Sequence, residues 1–335
     1  MSRSQLTSTD QQNSGGAVAP YVAGKNKIIN GDFGIWQRGT SFSLSNGVNF
    51  TADRWIGYQN AATNTVSQQA FTPGTAPVAG YESAYFWRWS QTGSGTSTQE
   101  IQQKIEDVRT FAGQTVTLSF WAKASSAVPF TGIQLVQNFG TGGSSSVTAL
   151  NFGASSNLTT SWVRYTFTGT VASIAGKTLG AGNHLYLALQ FSSANTVNID
   201  LWGVQLEAGS VATPFTTATG TLSGELMACQ RYYERWQAAS NNDEFFVGGA
   251  FNTIYLLARA QYIVQKRIAP SIAVSNYTNF TSYGNNMGNT LTGLAASSIN
   301  SQFCRFDVSG TWVTGLAYDV RSNTSSAYIE FSAEL

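Results

Sequence analysis

Hydrophobic and polar residues alternate with a period of two along most of this chain, the signature of strands with one face buried. Thr115 to Lys123 shows it best. Val116, Leu118, Phe120 and Ala122 fall on one face, and Thr115, Thr117, Ser119 and Trp121 on the other. His184 to Phe191 repeats it, with Leu185, Leu187, Leu189 and Phe191 inward and His184, Tyr186, Ala188 and Gln190 opposed. Further strands are expected at 54–59, 65–71, 84–91, 99–108, 133–139, 161–168 and 197–206. Glycine, serine and asparagine loops separate them, and no helices are present to cover a parallel sheet. This predicts two antiparallel sheets packed face to face, with jelly-roll topology.

The pattern changes after residue 206. Ser210 to Gly224 is rich in Thr, Ser and Gly and contains Pro214, so it neither propagates a helix nor completes a ladder. Gly224 to Cys229 can form a turn or two of helix. Strands are then expected at 230–237, 244–251, 253–264, 271–277, 302–308, 312–320 and 327–331. Tyr283 to Gly293 is expected to be a long exposed loop or hairpin tip, and Gly140 to Ser146 a flexible hairpin tip. The fold class is therefore all-β: an extended arm at 1–26, a jelly-roll body at 27–215, a linker with a short helix at 216–229, and a second, smaller β-sandwich domain at 230–335. Residues 1–26 carry few large apolar side chains and no periodicity. They are expected to take structure only against another surface.

Composition narrows the function. Charged residues make up 10% of the 335 and the formal net charge is +1, against roughly 25% charged in average soluble proteins. Nucleic-acid binding and electrostatic membrane anchoring both need a dense basic footprint, so neither is expected. No apolar run approaches the ~20 residues of a membrane span. Met1 to Ala19 lacks an apolar core, so no secretory signal is expected there. Cys229 and Cys304 form no disulfide framework and are read as buried free thiols, though a single bridge remains open.

Candidate chemistry is sparse. The one histidine, His184, is expected on the outer face of its strand as a surface residue, and one histidine makes neither a zinc site nor a hydrolytic triad. Glycoside hydrolysis needs two carboxylates about 5 to 9.5 Å apart. Glu100, Glu106, Asp107, Asp200 and Glu207 are scattered and no pair stands out, so no enzyme activity and no cofactor are expected. Sugar binding needs aromatic platforms beside amide or carboxylate partners. Tyr85, Trp87 and Trp89 share one face of a strand, with Trp121 on another. They are either such a platform or part of the core. The core reading is preferred, because Ala84, Arg88 and Ser90 leave the aromatic face as the inward one.

Five stretches in order carry a resemblance: NGDFGIWQRGT from Asn30, TADRW from Thr51, SFWAKA from Ser119, WGVQLEAGSVATPF from Trp202 and ELMACQRYYERW from Glu225. Together they resemble bacteriophage tail fibre, appendage or minor structural proteins whose body is like the jelly-roll carbohydrate-binding modules of glycoside hydrolases. The resemblance covers about residues 27–236. It implies a virion protein assembled in the host cytoplasm and held to other virion proteins by residues 1–26. It implies a homo-oligomer, with a trimer expected, and a host-surface glycan as ligand; the alternatives are a lectin-like module or a decoration protein. The 283–293 loop would face the host. Related sandwiches hold a structural calcium near their first and last strands, where Asp32 and Asp200 fall, but Gly34 stands where an acidic residue is expected. In the first motif Trp36, Arg38 and Asp53 are read as a structural clasp, with Arg38 pairing to Asp53 or to loop carbonyls. In the last, Arg231, Tyr233 and Arg235 share a strand face and are read as interface anchors.

Overall fold

The computed structural model describes residues 24–335 other than 61, 80, 96, 195, 285 and 286. The arm expected at 1–26 lies outside the described residues up to residue 23. The chain divides into two compact units between Glu225 and Leu226. No helix among the described residues is long and apolar enough to cross a membrane.

The first unit is a sandwich of two six-stranded antiparallel sheets. One runs in the order β1 (Ser41–Ser43), β4 (Thr63–Ala70), β5 (Tyr85–Gly93), β12 (Val197–Ala208), β7 (Thr115–Ala124), β10 (Val163–Thr170). The other runs β2 (Gly47–Phe50), β3 (Trp55–Gln59), β6 (Thr98–Glu106), β11 (His184–Ser192), β8 (Gly132–Asn138), β9 (Val147–Gly153). Every expected strand is present to within a few residues. The unanticipated β1, β2 and β9 are short or irregular edge strands; β8 and β9 slip register twice, which erases the alternation. The inward faces meet in one core, where Trp55, Trp87, Trp89, Phe120, Phe130 and Phe191 are almost wholly buried.

Residues placed in the arm or linker close this sandwich. The Asn26 amide donates to the carbonyls of Val204 and Thr216 at 3.1 and 3.0 Å. Its oxygen accepts from the N–H groups of Leu206 and Ile28 at 3.0 and 2.9 Å. Gly24 N–H donates to Ala218, and Thr216 N–H to the Gln205 side chain. The body therefore begins by Gly24 and includes 216–218, because these segments satisfy backbone groups along β12 that would otherwise be buried and unpaired. Asn30 ties the first motif together in the same way. Its amide donates to the carbonyls of Ile35 and Asp53, and its own carbonyl accepts from Trp55 Nε1 at 2.9 Å. Gly31 is required there, since a β-carbon would lie 2.3 Å from the Val204 oxygen.

The second unit begins inside helix α1 (Leu222–Gln230), so the expected linker is partly helix. A three-stranded sheet runs β13 (Tyr233–Gln237), β22 (Tyr328–Ser332), β16 (Ser271–Val274). A seven-stranded sheet runs β18 (Met287–Thr290), β17 (Phe280–Gly284), β21 (Ala317–Ser322), β14 (Glu244–Ala250), β15 (Tyr255–Gln261), β20 (Phe303–Ser309), β19 (Gly293–Ser297). Their core contains Leu256, Phe306, Val320, Ile329 and Phe331. Of the two readings of 283–293, the structure has the hairpin, β17 with β18.

Candidate functional site

The two outer faces of the jelly roll differ, and the difference locates the site. On the first sheet the outward rings of Phe86, Trp121 and Trp202 are covered by Phe71, Phe215 and the half-buried Tyr81 and Trp162. Trp121 and Trp202 pack at 5.3 Å, Arg164 lies 4.6 Å over Trp121, and Trp202 Nε1 donates to Ser83 at 2.8 Å. Gly203, at φ 64°, lets Trp121 approach; a β-carbon there would lie 2.7 Å from its ring. Segments 71–83 and 209–216 thus supply this face with a second, smaller core.

Among the described residues the second sheet carries no such cover. Its outward residues fall in cross-strand rows. Tyr58, Glu100, Gln190 and Gly132 form the first, and Ile56, Gln102, Ala188, Gln134 and Asn151 the second. Lys104, Tyr186, Val136 and Thr148 form the third, and Glu106, His184 and Asn138 the fourth. The long polar side chains here are half-buried, while Ile56 and Ala188 beneath them are 1% exposed. The result is a shallow polar floor about 20 Å square by strand spacing and rise.

Its centre is held in place by internal bonds. Glu100 accepts from Gln190 Nε2 at 2.8 Å and from the Gln102 amide. Gly132 leaves room for the Gln190 side chain in this position: a β-carbon there would sit 2.4 Å from its oxygen, which would have to shift. Tyr58 and Tyr186 flank this carboxylate and amide cluster about 17 Å apart, two strands and four residues removed. Burial, and secondarily the charge of Glu100, push the Tyr186 hydroxyl above its ordinary value, so it stays a protonated donor at neutral pH. The floor thus presents two aromatic side chains and a fixed set of amide and carboxylate groups, the combination a sugar requires.

Several expected site residues lie elsewhere. Trp87 and Trp89 are both 0% exposed and point into the core, so neither offers a platform. Trp121 is buried in the smaller cluster. Tyr85 is 38% exposed and lines a separate pocket. His184 does lie on the outer face, but at 7% exposure it is not a surface residue; its Nδ1 is 2.9 Å from the Gly182 carbonyl. In the first motif Trp36 Nε1 donates to the Phe33 carbonyl, Asp53 accepts from Gln37 N–H at 2.8 Å, and Arg38 lies 5.0 Å over the Phe50 ring. Of Arg231, Tyr233 and Arg235, the last two lie two residues apart on β13 and share a face, while Arg231 is off the strand. Arg231 is in the turn after α1, Tyr233 is buried beside the equally buried Tyr232, and Arg235 pairs with Glu330 at 2.7 Å over the Tyr328 ring. The helix runs to Gln230, so the strand starts at Tyr233 and the expected alternation holds only from there.

The carboxylates are also accounted for. Asp200 accepts twice from Arg88, at 2.6 and 2.8 Å, so its charge is already paired with a guanidinium. Asp107 pairs with Arg109, and Glu207 with Lys25 and Thr213. No group of three or more metal-ligating side chains occurs among the described residues. Cys229 and Cys304 are buried free thiols, as expected; burial pushes the Cys304 thiol up to about 11. The 140–146 loop is not a loose tip. Thr141 exchanges backbone bonds with Ala181, and Ser144 N–H donates to Thr178.

Sequence reasoning missed Tyr58, Glu100, Gln102, Gln134, Tyr186 and Gln190 as a group, although the polar faces of β6 and β11 were visible as alternation. A further carboxylate feature was also missed. Asp32 lines a 390 Å³ pocket with Tyr81, Glu82 and Tyr85, and burial raises its pKa. Glu225, 2% exposed, accepts from Asn30 N–H at 2.7 Å and Thr219 N–H at 2.6 Å. Burial raises its pKa too, and the charge of Asp32 adds to the rise. A carboxyl raised on folding contributes stability below its unfolded pKa and loses it as pH rises through the folded one. Asp32→Asn is therefore expected to raise the melting temperature relative to wild type at pH 7, by about 2–4 °C per kcal/mol gained. The gain should vanish below about pH 4. Thermal scans across that range test it, and a pH-independent difference would refute the coupling.

No protein-family model matches the chain, and no curated protein matches it. Solved structures do. A structure described as CBM4 is 18% identical, covering 54% of this chain and 99% of that one, at a TM-score of 0.36. A cyclase from Fischerella sp. TAU is 16% identical, covering 57% and 100%, at 0.35. The enzymatically active domain of tailspike protein 4 from bacteriophage CBA120 is 15% identical, covering 55% of this chain and 22% of that one, at 0.32.

Proposed function

We propose that the first unit is a non-enzymatic glycan-binding module whose ligand lies across the outer face of β3, β6, β11 and β8. The observation that carries this reading is the pre-set Gln102, Glu100 and Gln190 cluster, left open by the other described residues and flanked by two tyrosines. Side chains already fixed by one another lose little conformational freedom when a sugar binds. Catalysis is not part of the proposal. The carboxylates of this face, Glu100 and Glu106, stand six residues apart on one strand. That is about 20 Å, well beyond the spacing that glycoside hydrolysis needs.

The test is a glycan array followed by titration of the best ligand. Tyr186→Ala and Gln190→Ala are expected to weaken binding about tenfold or more, the loss of one well-placed contact, with the melting temperature nearly unchanged. Unaltered affinity in both variants would overturn the assignment, as would the absence of any glycan ligand for the wild type.

The setting we propose is a phage fibre or appendage subunit, a trimer held to other virion proteins through its first residues. It is supported by the ordered motifs from Asn30 to Trp236. Because Gly24 and Asn26 are tied into the body, the appropriate truncation removes residues 2–22. Normal incorporation of that truncation into particles would reject the anchor.

A further inference from the structure

A small cavity on the opposite sheet has the chemistry of an anion site. Across β5, β12 and β7 the cross-strand neighbours Arg88, Asp200 and Lys123 form one row, two positive charges around one negative. Arg88 takes both oxygens of Asp200, whose side chain is 4% exposed, with bonds of 2.6 and 2.8 Å. Lys123 Nζ is left 3.6 Å from that carboxylate, beyond hydrogen-bond distance, while its side chain is only 28% exposed. Its ammonium lies 5.2 Å from the Trp162 ring and 5.6 Å from Phe86, which hold it in place but accept no proton. One positive charge in the row is therefore surplus.

The groups around it are donors. A 140 Å³ cavity is lined by Lys123, Ser125, Thr160 and Asn198 above the Arg88 and Asp200 pair. Ser125 Oγ accepts from Asn198 N–H at 3.0 Å, which leaves its own proton to donate. The Asn198 amide, the Thr160 hydroxyl and the Lys123 ammonium have no hydrogen-bond acceptor among the described residues. Four donors and an unspent charge converge on a space that fits a charged substituent and not a whole oligosaccharide. The half-buried Trp162 beside it offers a surface for the attached ring.

We infer that this cavity binds the carboxylate of an acidic sugar, a hexuronate whose ring packs toward Trp162. Lys123 forms the ion pair and Ser125 and Asn198 donate to the carboxylate oxygens. Arg88 and Asp200 are the fixed floor that positions Lys123. The site lies on the sheet opposite the glycan face proposed above and does not depend on it.

The experiment titrates the full chain, labelled at its tryptophan indoles, with a glucuronate trisaccharide, the matching neutral glucose trisaccharide and a 6-sulfated glucose. The acidic trisaccharide should shift the Trp162 indole resonance, with an affinity that falls as salt is raised. Lys123→Gln should weaken it about tenfold or more, the loss of a charge-assisted hydrogen bond, and Lys123→Arg should restore part of it. Asn198→Ala, which leaves the ion row intact, should weaken it less. Thermal unfolding of each variant separates lost binding from lost folding. A silent Trp162 resonance with the acidic sugar, or wild-type affinity in both Lys123→Gln and Asn198→Ala, would overturn the site. Equal binding of the sulfated sugar would overturn its assignment to a carboxylate. Binding of the acidic trisaccharide that is lost in Tyr186→Ala and Gln190→Ala but unchanged in Lys123→Gln and Asn198→Ala would leave the proposed glycan face standing and reject this cavity.

Discussion

Trp89→Ala is expected to lower the stability of the first unit by about 3–5 kcal/mol, the range for emptying a buried aromatic site. Its ring is 0% exposed, meets Phe191 edge-on at 5.0 Å and lies 5.8 Å from Trp87. Its indole N–H donates to Asn64 Oδ1 at 3.0 Å. Gly57 lies directly beneath the ring, where a β-carbon would come within 3.1 Å. The alanine would leave a cavity with no close neighbour able to fill it, and a buried amide oxygen with one donor fewer, so cavity and desolvation losses add. For a unit of this size the melting temperature should fall by roughly 6–20 °C. The result discriminates between two roles for the same residue. An exposed sugar platform would lose its ligand with little change in melting temperature. A variant that melts within about 2 °C of wild type would therefore contradict the burial seen here.

The contrast between Trp89 and Tyr186 shows what the chain discloses by itself. A period of two fixes which residues of a strand share a face, and that much was legible for β5, β6, β7 and β11. It does not say which outward face remains open. That depends on segments 71–83 and 209–216 folding back over Phe86, Trp121 and Trp202, a long-range event without local periodicity. Aromatic content was therefore a misleading guide. The tryptophans are concentrated where they are covered, and the open floor is made of glutamines and two tyrosines that look like ordinary surface residues. The same limit applies at Arg231 to Trp236. Alternation there was real in the letters, but helix α1 ends at Gln230, one residue beyond its expected end, and a turn follows it. It carries Cys229 into the core and starts the strand at Tyr233. Loop ends were legible only where a side chain has one use; Asn26, with four hydrogen bonds, was mistaken for the end of the arm.

In the second unit, Lys266→Met is expected to cost about 3–5 kcal/mol, the penalty for stranding one member of a buried ion pair. The side chains of Lys266 and Glu234 are both 0% exposed and bonded to each other. The ammonium also donates to the Gln230 carbonyl at 2.5 Å, at the C-terminal end of α1, whose last turn has no basic residue of its own. Glu234 is further fixed by Trp236 Nε1 at 2.6 Å. Methionine matches the lysine stem in bulk but leaves a carboxylate without its counter-charge and the helix carbonyl without its donor. Burial is the largest influence on Lys266 and holds its pKa below the ordinary value despite Glu234. The folded state thus binds its proton less tightly than the unfolded one. Wild-type stability from this group should rise with pH between the depressed value and about 10.5, a slope that Lys266→Met removes. The double variant Glu234→Gln with Lys266→Met has no buried charge, and the glutamine oxygen can still accept from Trp236. It should recover most of the single variant's loss, an interaction energy that a double-mutant cycle reads directly. If the two single variants instead add within about 0.5 kcal/mol, the pair does not act as a unit and the buried ion bridge is not what orders α1 against β13.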